Sequence, residues 1–293
     1  MANAKHKVKD NVAGEFFVDT TCIDCDTCRE LAPATFADNG EHSYVRTQPA
    51  GDAERRAALH ALLACPTGSI GTERGVATGV TIEEARADFP LPIEGDVSYC
   101  GFTSEHSFGG SSYFVRHASG NWLVDSPRWN HHLEKRFEEA GGIARIFLTH
   151  RDDVADAARW AERFGASRVI HEADLDAQPD AEIVLRGLDD VALGQDFVAI
   201  PTPGHTAGHA VLLHRDRYLF TGDHVWWSRN RKRLWASRAV CWYDWGAQTK
   251  SMERLVDRTF EWILPGHGDR VHLQSGEMRR AVAELVATMS APG

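Results

Sequence analysis

The chain lacks several features that mark secreted, membrane-spanning and nucleic-acid-binding proteins. Only six cysteines occur in 293 residues, and the sequence does not open on the apolar segment of a signal peptide, so a disulfide framework is disfavoured. No run of 18 apolar residues is present, which disfavours a membrane partner. A net charge of −10 disfavours a nucleic-acid partner, because phosphate binding needs a basic surface. These absences predict a cytoplasmic protein.

The composition and the patterning together indicate two folded domains. With 43% apolar and 25% charged residues, the chain is large enough to bury two cores. Residues 1–13 are polar and predict a flexible arm, and residues 14–72 form a first domain. Residues 73–96 contain a Pro-Leu-Pro sequence and little regular patterning apart from a short helix predicted over 82–87, which is typical of a linker. From 97 to 293, apolar strands alternate with amphipathic helices, which predicts an α/β domain. The helices predicted there include 153–164 and 275–289.

Four cysteines form the most informative pattern: Cys22, Cys25, Cys28 and Cys65, the last followed directly by Pro66. In the bacterial two-cluster pattern, a fourth Cys-Pro follows the third cysteine closely and serves the other cluster. That position is occupied here by Ala32-Pro33, so the ligand of a second cluster is missing. The remote Cys65 can complete the first cluster. The spacing therefore predicts one [4Fe–4S] cluster.

A four-cysteine zinc site is the weaker alternative, because such sites usually consist of two separated Cys-x-x-Cys pairs. The segment 14–72 resembles a single-cluster ferredoxin domain of the α+β type. Residues 16–18 predict a strand that enters the cysteine loop. Residues 53–64 predict a helix, capped by Asp52, that delivers Cys65 to the cluster.

Histidines and acidic residues collect after apolar runs in the second domain. They are His150, Asp152, Asp153, His205, Asp223 and His267. A sheet holds the ends of its strands rigidly, and glycine and proline turns orient the side chains that follow. Ligands far apart in sequence can therefore converge at one edge of a sheet. The pattern predicts a metal centre.

Three of these segments carry a family resemblance: Pro-Gly-His-Thr-Ala-Gly-His at 203–209, Thr-Gly-Asp at 221–223 and Pro-Gly-His-Gly at 265–268. They resemble the later metal motifs of the metallo-β-lactamase superfamily. The resemblance covers 97–293. It implies an αββα sandwich of two mixed sheets with helices outside, and one or two metal ions at the sheet edge.

The first motif departs from the family pattern, His-x-His-x-Asp-His. Here Asp152 stands at the second histidine, Val154 at the acid and Ala155 at the last histidine. The resemblance then implies a first site with His150, Asp152 and His205, and Asp223 placed either to bridge the two sites or to complete the first one. The second site keeps Asp223 and His267 and lacks its own carboxylate, unless a remodelled turn brings Asp153 there. We expect one well-occupied ion and a second that is weak or absent, and the donors suit iron and zinc alike.

Residues 225–246 hold five of the nine tryptophans and several arginines. This insertion follows Asp223 directly, so the resemblance places it over the metal. Such a segment can bind an anionic or planar small-molecule substrate by stacking and by bidentate contacts. The alternative is that its tryptophans pack against the first domain and its arginines are solvated.

Three functions are consistent with these features. The leading hypothesis is a metal-dependent redox enzyme in which the cluster exchanges electrons with the second metal site and with a donor or acceptor protein. The second is a hydrolase of a thioester or activated ester, in which Asp223 or Asp152 orients a metal-bound water and the cluster is structural or regulatory. The third is a non-catalytic redox sensor.

Overall fold

The computed structural model describes residues 2–73 and 79–291. The part of the predicted linker at 74–78 lies outside the described residues, as do Met1, Pro292 and Gly293. The chain forms two compact units. The first runs from the N terminus to Asn121 and includes Ser126–Gly142, and the second combines Trp122–Asp125 with the chain from Ile143 onward. No described helix is long and apolar enough to cross a bilayer.

The helices and strands up to Asn121 all belong to the first unit. In chain order they are β1 (Phe16–Val18), α1 (Thr27–Leu31), β2 (Phe36–Asp38), β3 (Ser43–Val45), α2 (Asp52–Ala64), β4 (Ile70–Thr72), α3 (Ile82–Ala87), β5 (Leu91–Glu94), β6 (Val97–Tyr99) and β7 (Tyr113–Val115).

The remaining elements belong to the second unit, except α4, which lies in the first. They are β8 (Trp122–Val124), α4 (His131–Glu139), β9 (Arg145–Phe147), α5 (Ala157–Phe164), β10 (Ser167–His171), β11 (Ile183–Leu185), β12 (Val191–Ala192), β13 (Phe197–Pro201), β14 (Ala210–His214), β15 (Tyr218–Gly222), β16 (Trp226–Ser228), β17 (Arg233–Trp235), α6 (Trp245–Leu255), β18 (Trp262–Pro265), β19 (Val271–His272) and α7 (Ser275–Met289).

The cysteine-bearing part of the first unit is small and two-layered. β1 pairs antiparallel with β4, β2 pairs with β3, and α2 buries Ala58, Leu59 and Leu63. The predicted bounds of β1 are those of the structure. Helix α2 begins one residue early, since Gly51 is the N-cap residue and Asp52 is the first helical residue, with no side-chain cap bond. Asp52 therefore stabilises the helix through its charge in the first turn and not as a cap.

Two segments contain more structure than their sequence indicates. In the predicted arm, Val8 is buried, and the Asn11 side chain bonds the main chain of Val18 on β1. In the predicted linker, α3 has the bounds of the predicted short helix and begins with a capping box between Thr81 and Glu84, whereas β5, which was not predicted, pairs with β6. The flexibility of the arm and the domain bounds stay predictions.

The second unit contains two sheet regions. Strands β8, β9, β10 and β11 run parallel, and β12, β13, β14, β15, β18 and β19 form a six-stranded mixed sheet. Helix α7 is amphipathic and buries one stripe of side chains: Met278, Val282, Leu285 and Met289. They belong to the same hydrophobic core as apolar side chains of the six-stranded sheet. Each buried side chain of this size contributes roughly 1.5–3 kcal/mol. The resulting rigid sheet fixes the strand ends that carry the candidate ligands.

Candidate metal centres

The four cysteines of the N-terminal pattern line one pocket. Cys28 lies on α1 and is buried, Cys65 directly follows α2 and is buried, and Cys22 and Cys25 are half-buried in the loop before α1. None of the four forms a disulfide. The helix predicted to deliver Cys65 does so, because Cys65 is its C-cap residue.

A buried arginine organises the cysteine loop. The Arg29 guanidinium donates to the carboxylates of Asp24 and Asp26, each at 2.5 Å, and to the Ser43 hydroxyl at 2.8 Å. Asp24 and Asp26 both have positive φ, a conformation that aspartate tolerates better than most residues. These contacts curl the loop so that its cysteines face one point. The role of Arg29 was not predictable from the sequence, where only its position next to Cys28 marks it.

The pocket fits an anionic iron–sulfur cluster. The Ser69 N–H donates to Cys65 Sγ at 3.3 Å, and the Thr27 hydroxyl lies 3.3 Å from Cys25 Sγ. Burial raises the pKa of Cys25 to about 12 and the pKa of Cys28 further, so these thiolates need a bound cation. Gly109 leaves space for the sulfur, because a Cβ there would lie 2.8 Å from Cys25 Sγ.

The histidines and acids of the second unit form two groups of three candidate ligands. One group contains His150, His205 and Asp223, and the other contains Asp153, Asp223 and His267. Within each group, the ligand atoms all lie within 4.8 Å of one another. Asp223 Oδ2 is 3.8 Å from His150 Nε2, 3.7 Å from His205 Nε2 and 3.8 Å from His267 Nε2. Asp223 would therefore contribute a carboxylate oxygen to an ion in either group.

Buried atoms without partners show that these groups fit metal ions. Among the residues of the two groups, four buried side-chain atoms have no hydrogen-bond partner in the described part of the chain: His150 Nε2, His205 Nε2, Asp153 Oδ2 and Asp223 Oδ1. Burying polar atoms unpaired costs roughly 1–3 kcal/mol each, which metal coordination offsets. Gly266 preserves this space, because a Cβ there would lie 2.6 Å from both carboxylates.

Hydrogen bonds behind the two buried histidines orient their rings. Thr149 Oγ1 donates to the Asp125 carboxylate at 3.0 Å, so His150 Nδ1–H donates to Thr149 Oγ1 at 2.9 Å. His205 Nδ1–H donates to Val240 O at 2.6 Å. In both rings, Nε2 is left with its lone pair toward the centre, which is the tautomer that binds a metal ion.

The ordinary pKa values of the ligands are strongly perturbed by this crowding. Burial lowers the pKa of His150 to about 4, although the Asp223 charge opposes this shift. Burial and the Asp223 charge raise the pKa of Asp153. Burial also raises the pKa of Asp125, to about 8, against the hydrogen bonds from Thr149. Burial favours a neutral Asp223, but the facing histidines outweigh it and lower its pKa. Divalent cations would relieve the repulsion among these carboxylates.

The two adjacent acids of the first motif lie in different environments. Arg151–Asp153 form a 3₁₀ turn, and Ala155 has φ of +32°, so α5 begins at Ala157 and not at the predicted residue 153. Asp153 is buried in the second group. Asp152 is half-exposed, with its carboxylate 3.5 Å from His205 Nε2 and 3.8 Å from His150 Nε2. The second group therefore contains a carboxylate, Asp153, although the position of the family's acid is occupied by Val154 in this chain. Which of these residues bind ions stays a prediction.

Sequence reasoning missed several buried polar residues around the centre. Asp125 follows β8 as the candidate ligands follow their own strands, so its position offered a signal. His209 Nδ1 lies 2.9 Å from Thr202 Oγ1, and its ring stacks on that of His224 with centroids 5.0 Å apart. Neither histidine belongs to the two ligand groups. They extend the buried polar layer behind His150.

The insertion at 225–246 is fixed at two points beside the centre. β16 and β17 form a hairpin in which Trp227 N–H donates to Asp269 O at 3.0 Å. Farther along, the N–H groups of Trp242 and Tyr243 donate to His205 O at 2.9 and 3.0 Å. The side chains of these two residues are 66% and 60% exposed. The first contact is two residues after the candidate ligand His267, and the second is to the candidate ligand His205 itself.

The tryptophans of the insertion divide into packed and exposed ones. Trp226 packs on Gly268, where a Cβ would lie 2.3 Å from the ring, and Trp245 Nε1–H donates to Met289 O at 3.2 Å. Trp235 stacks with two arginines. Burial raises the pKa of Cys241, which disfavours a reactive thiolate there.

The fold and the two ligand groups define a mixed α/β protein with a cysteine pocket and a histidine–carboxylate centre. Two family models match the chain: "4Fe-4S single cluster domain of Ferredoxin I" over residues 18–72, and "Metallo-beta-lactamase superfamily" over residues 107–267. The second match covers more than half of the chain. The protein therefore belongs to the metallo-β-lactamase superfamily, with an N-terminal ferredoxin-like [4Fe–4S] domain. The predicted fold class is confirmed, and so are the cofactor classes, a cluster domain and a fold that binds zinc or iron.

Individual relatives match parts of the chain. A hydroxyacylglutathione hydrolase of Acidiphilium cryptum (strain JF-5) is 34% identical over 119 residues, which cover 39% of this chain and 45% of that protein. The chain thus spans less than half of the relative's length. The structure of DIM-1 metallo-beta-lactamase has a TM-score of 0.50 at 18% identity, covering 68% of this chain and 96% of its own. BLEG-1 B3 metallo-beta-lactamase has a TM-score of 0.51 at 12% identity, covering 67% and 100%. These structures share the fold.

Proposed function

We propose that the protein is a metal-dependent redox enzyme whose [4Fe–4S] cluster exchanges electrons with iron at the histidine–carboxylate centre. One observation carries the proposal: the first group, His150, His205 and Asp223, is a two-histidine, one-carboxylate set. This donor set with open positions is typical of non-haem Fe(II). The second group adds Asp153, so the centre as a whole is rich in carboxylates and contains no sulfur. Carboxylates suit iron and manganese well.

The protein residues have separable roles in this proposal. When bound, iron would supply open positions and a reversible one-electron change, which the cluster complements with single electrons. Asp223 holds the two groups together through one carboxylate. Asp152, half-exposed at the mouth of the first group, is placed to accept a proton from a bound substrate or water. An external donor or acceptor closes the electron balance.

The exposed part of the insertion supports a substrate with a planar portion. Trp242 and Tyr243 present aromatic faces beside His205, and their main-chain bonds to His205 O hold them there at little further entropic cost. The β16–β17 hairpin carries three cations that form no ion pair among the described residues: Arg231, Lys232 and Arg233. The two arginines stack on the Trp235 ring. These cations favour an anionic portion on the same substrate.

The test is metal analysis with paramagnetic resonance on anaerobically prepared protein, oxidised and reduced. We expect iron beyond the four atoms of the cluster, with a signal that changes when the cluster is reduced. His205→Ala should lose the additional iron and keep the cluster spectrum. His272→Ala is the control, because this exposed histidine on β19 belongs to neither ligand group. Additional iron that ignores the oxidation state of the cluster would contradict the proposal.

A second candidate, thioester hydrolysis, is favoured by the 34% identity to a hydroxyacylglutathione hydrolase. When bound, a metal ion there would activate water as a nucleophile, and Asp223, which belongs to both groups, would orient that water. The two candidates differ in their metal and their dependence on the cluster. Zinc at the centre, with thioester hydrolysis at the same rate in oxidised and reduced protein, would establish the hydrolase and exclude the redox enzyme.

A further inference from the structure

The end of α2 that carries Cys65 is capped by residues outside the ferredoxin-like segment. Arg128 donates from Nη1 to Cys65 O at 2.9 Å and to Pro66 O at 3.0 Å, and from Nη2 to Leu63 O at 3.0 Å. Thr103 donates to Ala64 O from its N–H at 3.1 Å and from its hydroxyl at 2.8 Å. The last two carbonyls of α2, that of its C-cap residue Cys65 and that of the following Pro66 are thus bonded within the first unit, although a helix end leaves its last carbonyls without partners in the helix.

Arg128 is also placed where a positive charge is needed. The C-terminal end of a helix carries a partial negative charge, and here it carries a ligand of an anionic cluster. Four thiolates around the iron–sulfur core leave net negative charge, and reduction adds one more electron. The helix end and the cluster therefore repel each other unless a cation lies nearby.

In the part of the chain that the structure describes, no carboxylate pairs with this arginine. Among residues 2–73 and 79–291, Arg128 makes no ion pair, and its guanidinium bonds are to main-chain carbonyls. Burial lowers the pKa of Arg128 from its ordinary value. A half-buried arginine without a counter-ion is unusual, because such a charge is normally paired. Its main-chain N–H donates to Phe102 O at 2.9 Å, which fixes where the side chain starts.

We propose that Arg128 is the protein's built-in counter-charge for the [4Fe–4S] cluster and raises the reduction potential of that cluster. The charge stabilises the reduced cluster more than the oxidised one, since the reduced form carries one more negative charge. Arg128 is thus a positioning residue that acts on the cluster through Cys65 and through its field. The inference rests on the [4Fe–4S] domain and is independent of the chemistry at the histidine–carboxylate centre.

The test measures the midpoint potential of the cluster in the full-length protein by redox titration followed with paramagnetic resonance. Arg128→Gln removes the charge and keeps hydrogen-bond donors, whereas Arg128→Lys keeps the charge and loses the fork of three bonds. Arg56→Gln is the matched control, because it removes one positive charge from the exposed side of the same helix, where Arg56 pairs with Asp88. We expect a lower potential in Arg128→Gln and values close to wild type in the other two.

The potentials of the two Arg128 variants also define the results that would overturn the proposal. An intact cluster with unchanged potential in Arg128→Gln would overturn the proposal. An equal fall in Arg128→Gln and Arg128→Lys would also overturn it, because the helix cap and not the charge would then be responsible. If Arg128→Gln holds no cluster, Arg128→Lys decides: a wild-type potential there supports the counter-charge, and a lowered potential or a lost cluster refutes it.

Discussion

The cysteine pocket and the histidine–carboxylate centre obtain their ligands in opposite ways. Three of the four cysteines lie within seven residues of one another, in a loop that an arginine curls into shape. The ligands of the other centre are spread from His150 to His267 and follow four separate strands, β9, β13, β15 and β18. The pocket is therefore a local structure, whereas the centre exists only when the six-stranded sheet and its parallel neighbours are formed.

The two sites also differ in what their ligand atoms contact. The cysteine sulfurs of Cys25 and Cys65 have polar neighbours, a hydroxyl and an N–H group. The facing atoms of His150, His205, Asp153 and Asp223 have no hydrogen-bond partner in the described chain. Losing the metal should leave the pocket partly satisfied and the centre with uncompensated buried polar atoms. The centre is thus expected to depend more on its ions for stability than the pocket does on its cluster.

Removing the shared carboxylate should produce the largest effect. Asp223→Asn takes a charged ligand from both groups, so we expect loss of both bound ions with the cluster iron and its visible absorption retained. The matched change is Cys65→Ser, which should remove the cluster and leave the other ions. Metal and sulfide content per chain measures both. If Asp223→Asn also abolished the cluster, the two sites could not be treated as independent.

Removing Asp153 should affect only the second group. Asp153→Asn leaves His150, His205 and Asp223 in place, so we expect one ion to remain. The affinity for the other ion should fall by more than the ~10–100-fold that is typical when a residue behind a ligand is changed. Asp152→Asn is the control on the same turn and should preserve the second ion. Calorimetric titration of metal into the metal-free protein distinguishes the two variants. Equal loss in both would mean that Asp152 and Asp153 share one site.

Much of the fold could be predicted because apolar periodicity and turn residues act locally. The helices at Ile82–Ala87 and Ser275–Met289 and the strand at Phe16–Val18 have their predicted bounds. The start of α5 was wrong by four residues, since a 3₁₀ turn and a positive φ at Ala155 interrupt the pattern. β5 was taken for linker, because a short edge strand that contains proline has little periodicity.

The candidate site was predictable where a ligand follows a strand and a glycine. His205, Asp223 and His267 were identified in this way. The different positions of Asp152 and Asp153 were not predictable. A 3₁₀ turn has about three residues per turn, so it points neighbouring side chains about 120° apart. Arg128 gave no signal at all, since its partners are carbonyls that are distant in sequence.

A smaller effect is expected from the hydrogen bonds behind the histidines. Thr149→Val removes the hydroxyl that connects Asp125 to His150, so the ring loses its orientation and metal affinity should fall by about 10–100-fold. Thr202→Val is a close control, because Thr202 bonds His209, which lies outside both groups. Competition with a metal-binding dye measures the affinities. A similar fall in both variants would indicate general loosening of the buried layer.

The smallest effect is expected for a carboxylate at the surface, Glu182, whose pKa is shifted in the direction opposite to that of Asp153 in the centre. Asp153 has a raised pKa, whereas hydrogen bonds from Arg168 lower the pKa of Glu182 to about 2. Because the pKa of Glu182 is lower in the folded protein than in the unfolded chain, its ion pair stabilises the fold. This stabilisation is complete above the unfolded-state pKa of 4.5 and is lost as the pH falls toward the folded-state pKa of about 2. Because the Glu182 carboxylate is exposed to solvent, we expect Glu182→Gln to cost about 0–1 kcal/mol at pH 7.

The difference between wild type and Glu182→Gln in denaturant unfolding should therefore shrink as the pH is lowered from 7 to 3. Both proteins lose acid-labile metal alike, so their difference isolates the ion pair. Glu253→Gln, at an exposed glutamate with no ion pair among the described residues, should give a difference that does not vary in this way. A Glu182→Gln difference that stayed constant with pH would show that the side chain acts through packing against Arg168 and not through its charge.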